Sequence, residues 1–287
     1  MIEADAEGDD PFQALEDVQK EQGKLFRAER EMYGEIVNDI RQIMTEYFSY
    51  YPEKDLRFER RDGKSGEHEF NIELYEYQLP HVVWNGKIDA TAKTPNKLRW
   101  IVERKTFSRK PTDDDRWRNL QSSTYLRATE MLGWGEYDGM CWDYIRSKPP
   151  VVPGLLQNGN LSEKAIDSLP VTILEAIEGI NQKPKTYESF LERSKQQLPT
   201  WFFRIHTPVN REVVDRVFDD FISTIRLMAD QHGRVRDKNI DRHCLWCDFE
   251  SICRAELQGN DVDFVKQKEF TVAKTDQSEN ALTDSTE

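Results

Sequence analysis

After an acidic opening, apolar residues recur at helical spacing. Leu25, Met32, Ile36, Ile40, Ile43 and Phe48 alternate with charged positions, which predicts one long helix over about 14–50. The pattern then changes to strand-like runs at 67–78 and 82–92. A Thr94-Pro95-Asn96-Lys97 turn leads into Leu98–Lys105, so the runs flanking the turn are expected to form a hairpin. The polar loop 108–115 ends in three aspartates able to cap a helix over roughly 115–132. Residues 137–146 and 201–206 read as further strands, and Asn210 as the cap of a strongly amphipathic helix ending near Gly233. Between those strands, 147–200 is rich in Pro, Gly, Lys and Glu, with a short helix near 186–197, and reads as an insertion or lid. There is no internal repeat. Helix, strands, helix, strand, then strand and helix make the class mixed α/β.

Composition narrows the picture. Charged residues reach 32% and aromatics 11%, polar for a globular protein but too aromatic for a wholly disordered chain. No apolar run approaches the ~20 residues that span a bilayer, and the acidic start is no signal peptide. A soluble, cytoplasmic protein with no membrane partner is expected. Four cysteines, three of them close together, do not make a secreted disulfide scaffold.

The net charge of -13 is concentrated at the ends. Residues 1–21 hold eight acids against one Lys, and 259–287 seven against three, which leaves 22–258 only mildly acidic. The organisation expected is therefore a disordered acidic leader (1–21), a folded body (22–258) and a disordered acidic tail (259–287). Two basic patches lie in the body: Arg57, Arg60, Arg61 and Lys64, then Arg99, Arg104, Lys105, Arg109 and Lys110. Either could contact phosphates or be a solvated strand end.

The most informative stretch runs from Gly86 to Tyr125. It holds Gly86-Lys87-Ile88-Asp89, then Glu103-Arg104-Lys105, then Gln121 and Tyr125 four apart on a helix. Strand residues two apart share a face, so Glu103 and Lys105 emerge side by side. A hairpin through 94–97 brings Asp89 beside Glu103. Two carboxylates and a carbonyl oxygen suit Mg²⁺ or Mn²⁺, and a neighbouring lysine can orient water or offset charge developing on a phosphate. Each pair alone is common on solvated elements; the ordered combination is not.

Gly-x-x-Asp, Glu-x-Lys and Gln-x-x-x-Tyr in this order resemble the PD-(D/E)xK nuclease superfamily, in its RecB-type branch. The resemblance covers about 25–146 and the C-terminal cysteines. It implies a restriction-endonuclease-like core, a central mixed sheet flanked by helices, and metal-dependent cleavage of DNA. Asp89 and Glu103 become metal ligands and Lys105 the water-positioning base or charge stabiliser, with Gln121 and Tyr125 in support. The family's first helix often carries Gly-x-x-x-His. Here Gly34-Glu35-Ile36-Val37-Asn38 puts Asn38 in the histidine slot, so either Glu35 supplies a ligand or the site is one ligand poorer.

Cys244-Leu245-Trp246-Cys247 and Cys253 form the second constellation, in a Cys-rich segment at 243–256. A two-residue spacer lets two thiolates reach one metal, and a third can come from the next turn. The pattern is similar to that closing the CRISPR-associated iron–sulfur exonucleases and AddB-type nucleases, which implies a [4Fe–4S] iron–sulfur cluster, with zinc as the alternative. In those proteins a fourth cysteine lies far upstream, whereas here no cysteine precedes Cys141. Cys141, His243 or no residue at all could complete the set. His68, His81, His206 and His232 read as surface or core residues.

The expected function is thus a metal-dependent DNA exonuclease of recombination, repair or phage DNA processing, working with recombination or helicase partner proteins. The alternative is a noncatalytic DNA-end-binding or assembly module of the same fold. A zinc-ribbon interaction protein would explain the cysteines but not the Gly86–Tyr125 series.

Overall fold

The computed structural model describes residues 12–22, 27–51, 55–117, 119–230 and 240–271. In chain order the helices and strands are α1 (Gln13–Gln22), α2 (Arg27–Tyr50), β1 (Arg57–Phe58), β2 (His68–Leu74), β3 (Leu79–Ile88), β4 (Ala90–Lys93) and β5 (Arg99–Phe107). Then come α3 (Asp113–Trp117), α4 (Gln121–Met131), β6 (Gly139–Arg146), α5 (Pro170–Gly179), α6 (Glu188–Gln197), β7 (Phe202–Pro208), α7 (Arg211–Asp230), α8 (Glu250–Leu257) and α9 (Val262–Glu269). Among the described residues, no helix is long and apolar enough to cross a membrane. The chain divides into two compact units, 1–226 and 227–287.

In the first unit a five-stranded mixed sheet has the order β1-β4-β5-β6-β7. Its central strands β5 and β6 run parallel, and the other neighbours are antiparallel. Six successive residues of β6, Gly139–Tyr144, are buried, as a strand covered on both faces requires. The expected turn at 94–97 joins β4 to β5, with Lys93 opposite Arg99. β2 and β3 form a separate hairpin, and β2 alternates buried and exposed residues along its whole length. The class is α/β with a central mixed sheet flanked by helices.

Helices α4 and α7 cover one face. Leu126 of α4 and Val214, Phe218 and Ile222 of α7 pack with Ile101, Met140, Trp142 and Tyr144 from the sheet. On the opposite face Ile43, Met44 and Tyr47 of α2 pack with Leu169, Leu198, Trp201 and Phe202. Segment 147–200, expected as an insertion or lid, thereby contributes buried residues to this layer. It also has a small core of its own, around Ile173, Ile177, Tyr187 and Phe190.

The α2 stripe departs from expectation by one position. Ile36 and Ile40 are exposed, whereas Val37, Gln42, Ile43, Met44, Glu46 and Tyr47 are buried. Two polar residues belong to the buried face because α5 satisfies them. Glu46 accepts the Val171 backbone N–H at the start of α5 (2.6 Å), and Gln42 accepts the Thr172 hydroxyl (2.8 Å). Leu25 lies outside the described residues, as do the side chain of Met32 and residues 231–239, where Gly233 falls.

Both acidic ends contain structure that their charge concealed. Residues 13–22, expected within a disordered leader, form α1: Leu15 is buried and Phe12 meets Phe48 edge-on. Residues 262–269, expected within a disordered tail, form α9 in the second unit. There Asp261 caps the helix by accepting from Phe264 N–H (3.0 Å), and Phe270 stacks on Phe249.

Candidate functional site

Strands β3 and β4 are one run of chain interrupted only at Asp89, where it leaves the hairpin and enters the five-stranded sheet. The Asp89 carbonyl accepts the Glu67 N–H (2.7 Å), holding the junction to β2. The Ala90↔Val102 pairing carries Asp89 alongside Glu103, and Asp89 Oδ2 accepts the Arg104 backbone N–H at 2.8 Å. The carboxylate is therefore anchored by the strand that bears its partner.

Glu103 is 3% exposed. Its Oε1 receives Lys105 Nζ at 2.6 Å, while Oε2 is buried with no hydrogen-bond partner. Burial raises the Glu103 carboxyl above its ordinary range; the Lys105 hydrogen bond opposes the rise and the charge of Asp89 adds to it. Burial also works against the charge on Lys105, but its side chain is 38% exposed. The hydrogen bond and charge of Glu103, together with Asp89, outweigh that cost and raise the ammonium. Lys105 is thus placed to donate a hydrogen bond beside the two carboxylates.

Gln121 and Tyr125 join the same cluster. Tyr125 donates to the Lys87 carbonyl at 2.6 Å and accepts from Gln121 Nε2 at 2.6 Å. Burial, with Glu103 and Asp89 nearby, raises the phenol, so it remains a neutral donor. Gly86 has a role that spacing did not reveal. It lies opposite Phe70, and a Cβ there would sit 2.5 Å from the Phe70 ring. The bare glycine lets that ring lie across the strand and meet Tyr125 edge-on, with centroids 6.2 Å apart. The signal was the cross-strand pairing of Phe70 with Gly86, invisible until the β2–β3 register is known.

Glu35 lies in α2, but its side chain is outside the described residues. Among the described residues no group of three or more His, Cys, Asp or Glu side chains is arranged to hold a metal ion. The carboxylate cluster therefore offers two acidic ligands. They fit a hard divalent cation on chemistry: a buried, unpaired carboxylate oxygen beside a second carboxylate lacks positive charge on one side.

The cysteines do not form a complete set. Cys244 and Cys247 lie at a helical turn over Arg242–Trp246, where Cys247 N–H donates to the Cys244 carbonyl (3.3 Å), and Cys253 lies in α8. Cys247 is exposed and its neighbours Leu245 and Trp246 are 83% and 71% exposed, so this turn is no packing core. His243 Nδ1 is engaged by Asp241 at 2.9 Å. Cys141 belongs to the core of the first unit, where burial pushes its thiol up to about 12. It is fully buried there, packed with Leu56, Trp100 and Val102.

Comparison with known proteins finds no matching family model, curated protein or solved structure.

Several residues of the basic patches have structural duties. Glu59 receives Arg99 (3.0 Å) and Lys93 (3.1 Å), with Arg61 at 3.6 Å. Burial opposes its charge, yet the bonds from Arg99 and Lys93 hold its carboxyl at about 2. Arg61 stacks over Trp134 at 4.2 Å, Arg99 over Tyr137 at 4.3 Å and Arg104 over Phe58 at 5.2 Å. Arg57, Arg60, Lys64, Arg109 and Lys110 are the exposed members. The last two follow the Lys105 strand directly.

Proposed function

We propose that the protein is a divalent-metal-dependent deoxyribonuclease, an exonuclease that trims DNA ends in recombination, repair or phage DNA processing. One observation carries the reading: a buried Glu103 carboxylate with an unpaired oxygen, beside Asp89 and a charged Lys105. Such an arrangement costs stability unless it serves a ligand.

Asp89 and Glu103 would hold Mg²⁺ or Mn²⁺, which when bound lowers the pKa of water and polarises a phosphoryl oxygen. Hydrolysis adds hydroxide to phosphorus and returns a proton to the departing sugar oxygen. Lys105 supplies a fixed positive charge and a hydrogen-bond donor to the phosphate oxygens as negative charge builds on them. With Asp89 and Glu103 on the metal, Lys105 could also orient the attacking water. Tyr125, held between Gln121 and the Lys87 carbonyl, fixes the backbone just before Asp89 and so keeps that carboxylate aligned. Arg109 and Lys110, exposed just beyond the Lys105 strand, would meet the adjoining phosphates.

The test is cleavage of end-labelled single- and double-stranded DNA by the full chain with Mg²⁺, Mn²⁺ or EDTA. Metal-dependent shortening from an end is expected, abolished by EDTA and by Asp89→Asn. Persistent DNA binding with no cleavage under any metal would replace this reading with a noncatalytic end-binding module.

A further inference from the structure

Strand β7 is an open edge. It ends the sheet order, and whereas Gly139–Tyr144 of its neighbour β6 are all buried, none of residues 203–208 is. The opposite edge is blunted, since β1 is only two residues long. The ladder to β6 fixes which groups of β7 face outward. At its two ends Arg146 N–H donates to the Trp201 carbonyl (2.9 Å) and Val209 N–H to the Asp138 carbonyl (2.8 Å). In an antiparallel pair of unbroken register the bonded positions alternate, so the odd-numbered residues of 201–209 turn their backbone to β6. The N–H and C=O groups of Arg204 and His206 therefore point away from the sheet. Among the described residues, no other backbone group bonds to them.

Two cavities flank this edge, one on each face. The first, of about 450 Å³, is lined by Met140 and Trp142 of β6, Leu126 of α4, and Val213 and Val217 of α7. It also touches Ile205, His206, Thr207 and Pro208 in succession. Successive side chains of a strand alternate between faces, and the His206 ring lies on the other face against Trp100. This cavity therefore reaches the backbone of the edge itself. The second, of about 580 Å³, lies on the α2 face beside Tyr50, Tyr51, Pro95 and Pro199, and touches Arg204 and again His206.

Walls on both sides of a bare edge suit a single extended chain. A second copy's β7 carries α2 and α7 layers of its own, which would meet these walls first. The cavities also select side chains. Leu126, Val213 and Val217 favour an aliphatic group on the α7 side. On the α2 side Arg204 is bound to Asp143 at 3.1 Å, whereas Asp55 lies 3.9 Å from Arg204 and its side chain is 60% exposed. Burial and the charge of Arg204 lower the pKa of His206, which keeps the ring neutral at pH 7. Two carboxylates and one guanidinium leave a surplus negative charge next to the Tyr50 and Tyr51 rings, which matches the head and stem of a Lys or Arg. The net charge of -13 favours a basic partner in the same sense.

We infer that β7 is the docking edge for an extended segment of a partner protein. The segment adds to the five-stranded sheet beside β7, with aliphatic side chains on the α7 side and basic ones on the α2 side. Its backbone bonds to Arg204 and His206 supply affinity, and the alternating side chains supply selectivity. The inference does not depend on the chemistry at Asp89 and Glu103.

The experiment titrates the full chain into a fluorescein-labelled peptide of alternating Val and Lys, followed by fluorescence polarisation. Binding is expected, about tenfold or more tighter than to the same residues in block order or to an alternating Val and Glu peptide. Methylating the Val amide nitrogens in one peptide and the Lys amide nitrogens in another should abolish binding in one and spare it in the other, because only one edge of the added strand meets β7. His206→Pro, which removes an outward N–H that β6 does not use, and Asp55→Lys, at an exposed position, should each weaken the Val and Lys peptide about tenfold. Circular dichroism identifies a misfolded variant, and the methylated peptides decide on the wild-type chain alone. No binding at millimolar concentration, equal binding of the block peptide, equal effects of the two methylations, or wild-type affinity in a folded variant overturns the inference. So does light scattering that finds a dimer which His206→Pro makes monomeric, since the edge is then taken by a second copy.

Discussion

Replacing Glu103 by Gln should make the first unit more stable at neutral pH while removing activity. The unpaired, buried Oε2 carries a desolvation cost of about 1–3 kcal/mol. The substitution removes the charge and the repulsion from Asp89. It also removes the ion pair with Lys105, but that side chain is 38% exposed and regains water, so this loss is about 0–1 kcal/mol. The net gain is about 1–2 kcal/mol, or roughly 2–8 °C in Tm for a unit of this size. The pH dependence has a definite sign. Because the folded-state carboxyl is raised above 4.5, its contribution is fully favourable below that pH and is lost as pH climbs through the raised value. The variant's advantage should therefore be absent at pH 4 and complete at pH 7.5. Melting followed by circular dichroism at both pH values in EDTA measures it. Adding Mg²⁺ should stabilise the wild-type chain, by about 2.7 kcal/mol at a hundred times Kd, and leave the variant unmoved. A Gln variant that melts lower than wild type at pH 7.5 in EDTA, or whose advantage is equal at pH 4, would refute the reasoning.

Lys105→Ala should lower single-turnover cleavage about 10²–10³-fold and leave DNA affinity within a few-fold, since phosphate contacts are shared among several cations; a wild-type rate would remove Lys105 from the mechanism. On the opposite face of the sheet, the fully buried Asp143 is held by Arg204 Nε at 3.1 Å and by the Tyr47 hydroxyl. Arg204→Met should cost about 3–5 kcal/mol in urea unfolding, because it leaves that carboxylate without its counter-charge; a cost under 1 kcal/mol would mean that the pair contributes little to the fold. Elemental analysis of anaerobically purified protein should find iron or zinc that Cys247→Ser loses; folded wild type holding neither metal would end the cluster reading.

The sequence carried the β4–β5 hairpin and the carboxylate series because both rest on short-range rules: a Pro-Asn turn, and the two-residue period that sets Glu103 beside Lys105. What it hid depended on distant partners. Gln42 and Glu46 look like solvent positions until α5 is docked on them, and α5 itself was masked by the Pro and Lys content of its surroundings. The duty of Arg99 became visible only with Glu59, 40 residues away. The cavity beside Trp142 is built from α3, α4, β6, β7 and α7, and no local pattern announces such a convergence.

The continuity of β3 with β4 makes chain length itself a determinant of the site. Adding or deleting one residue between Gly86 and Ala90 would either turn Asp89 away from Glu103 or separate the Phe70–Gly86 pairing from the β4–β5 pairing. At the other end of the hairpin, the β2–β3 register already shifts between Glu73 and Leu74, just before the Tyr75–Gln78 bend. A change of register is thus already accommodated there, while the five positions from Gly86 to Ala90 stay fixed in number even where Lys87 and Ile88 change in kind.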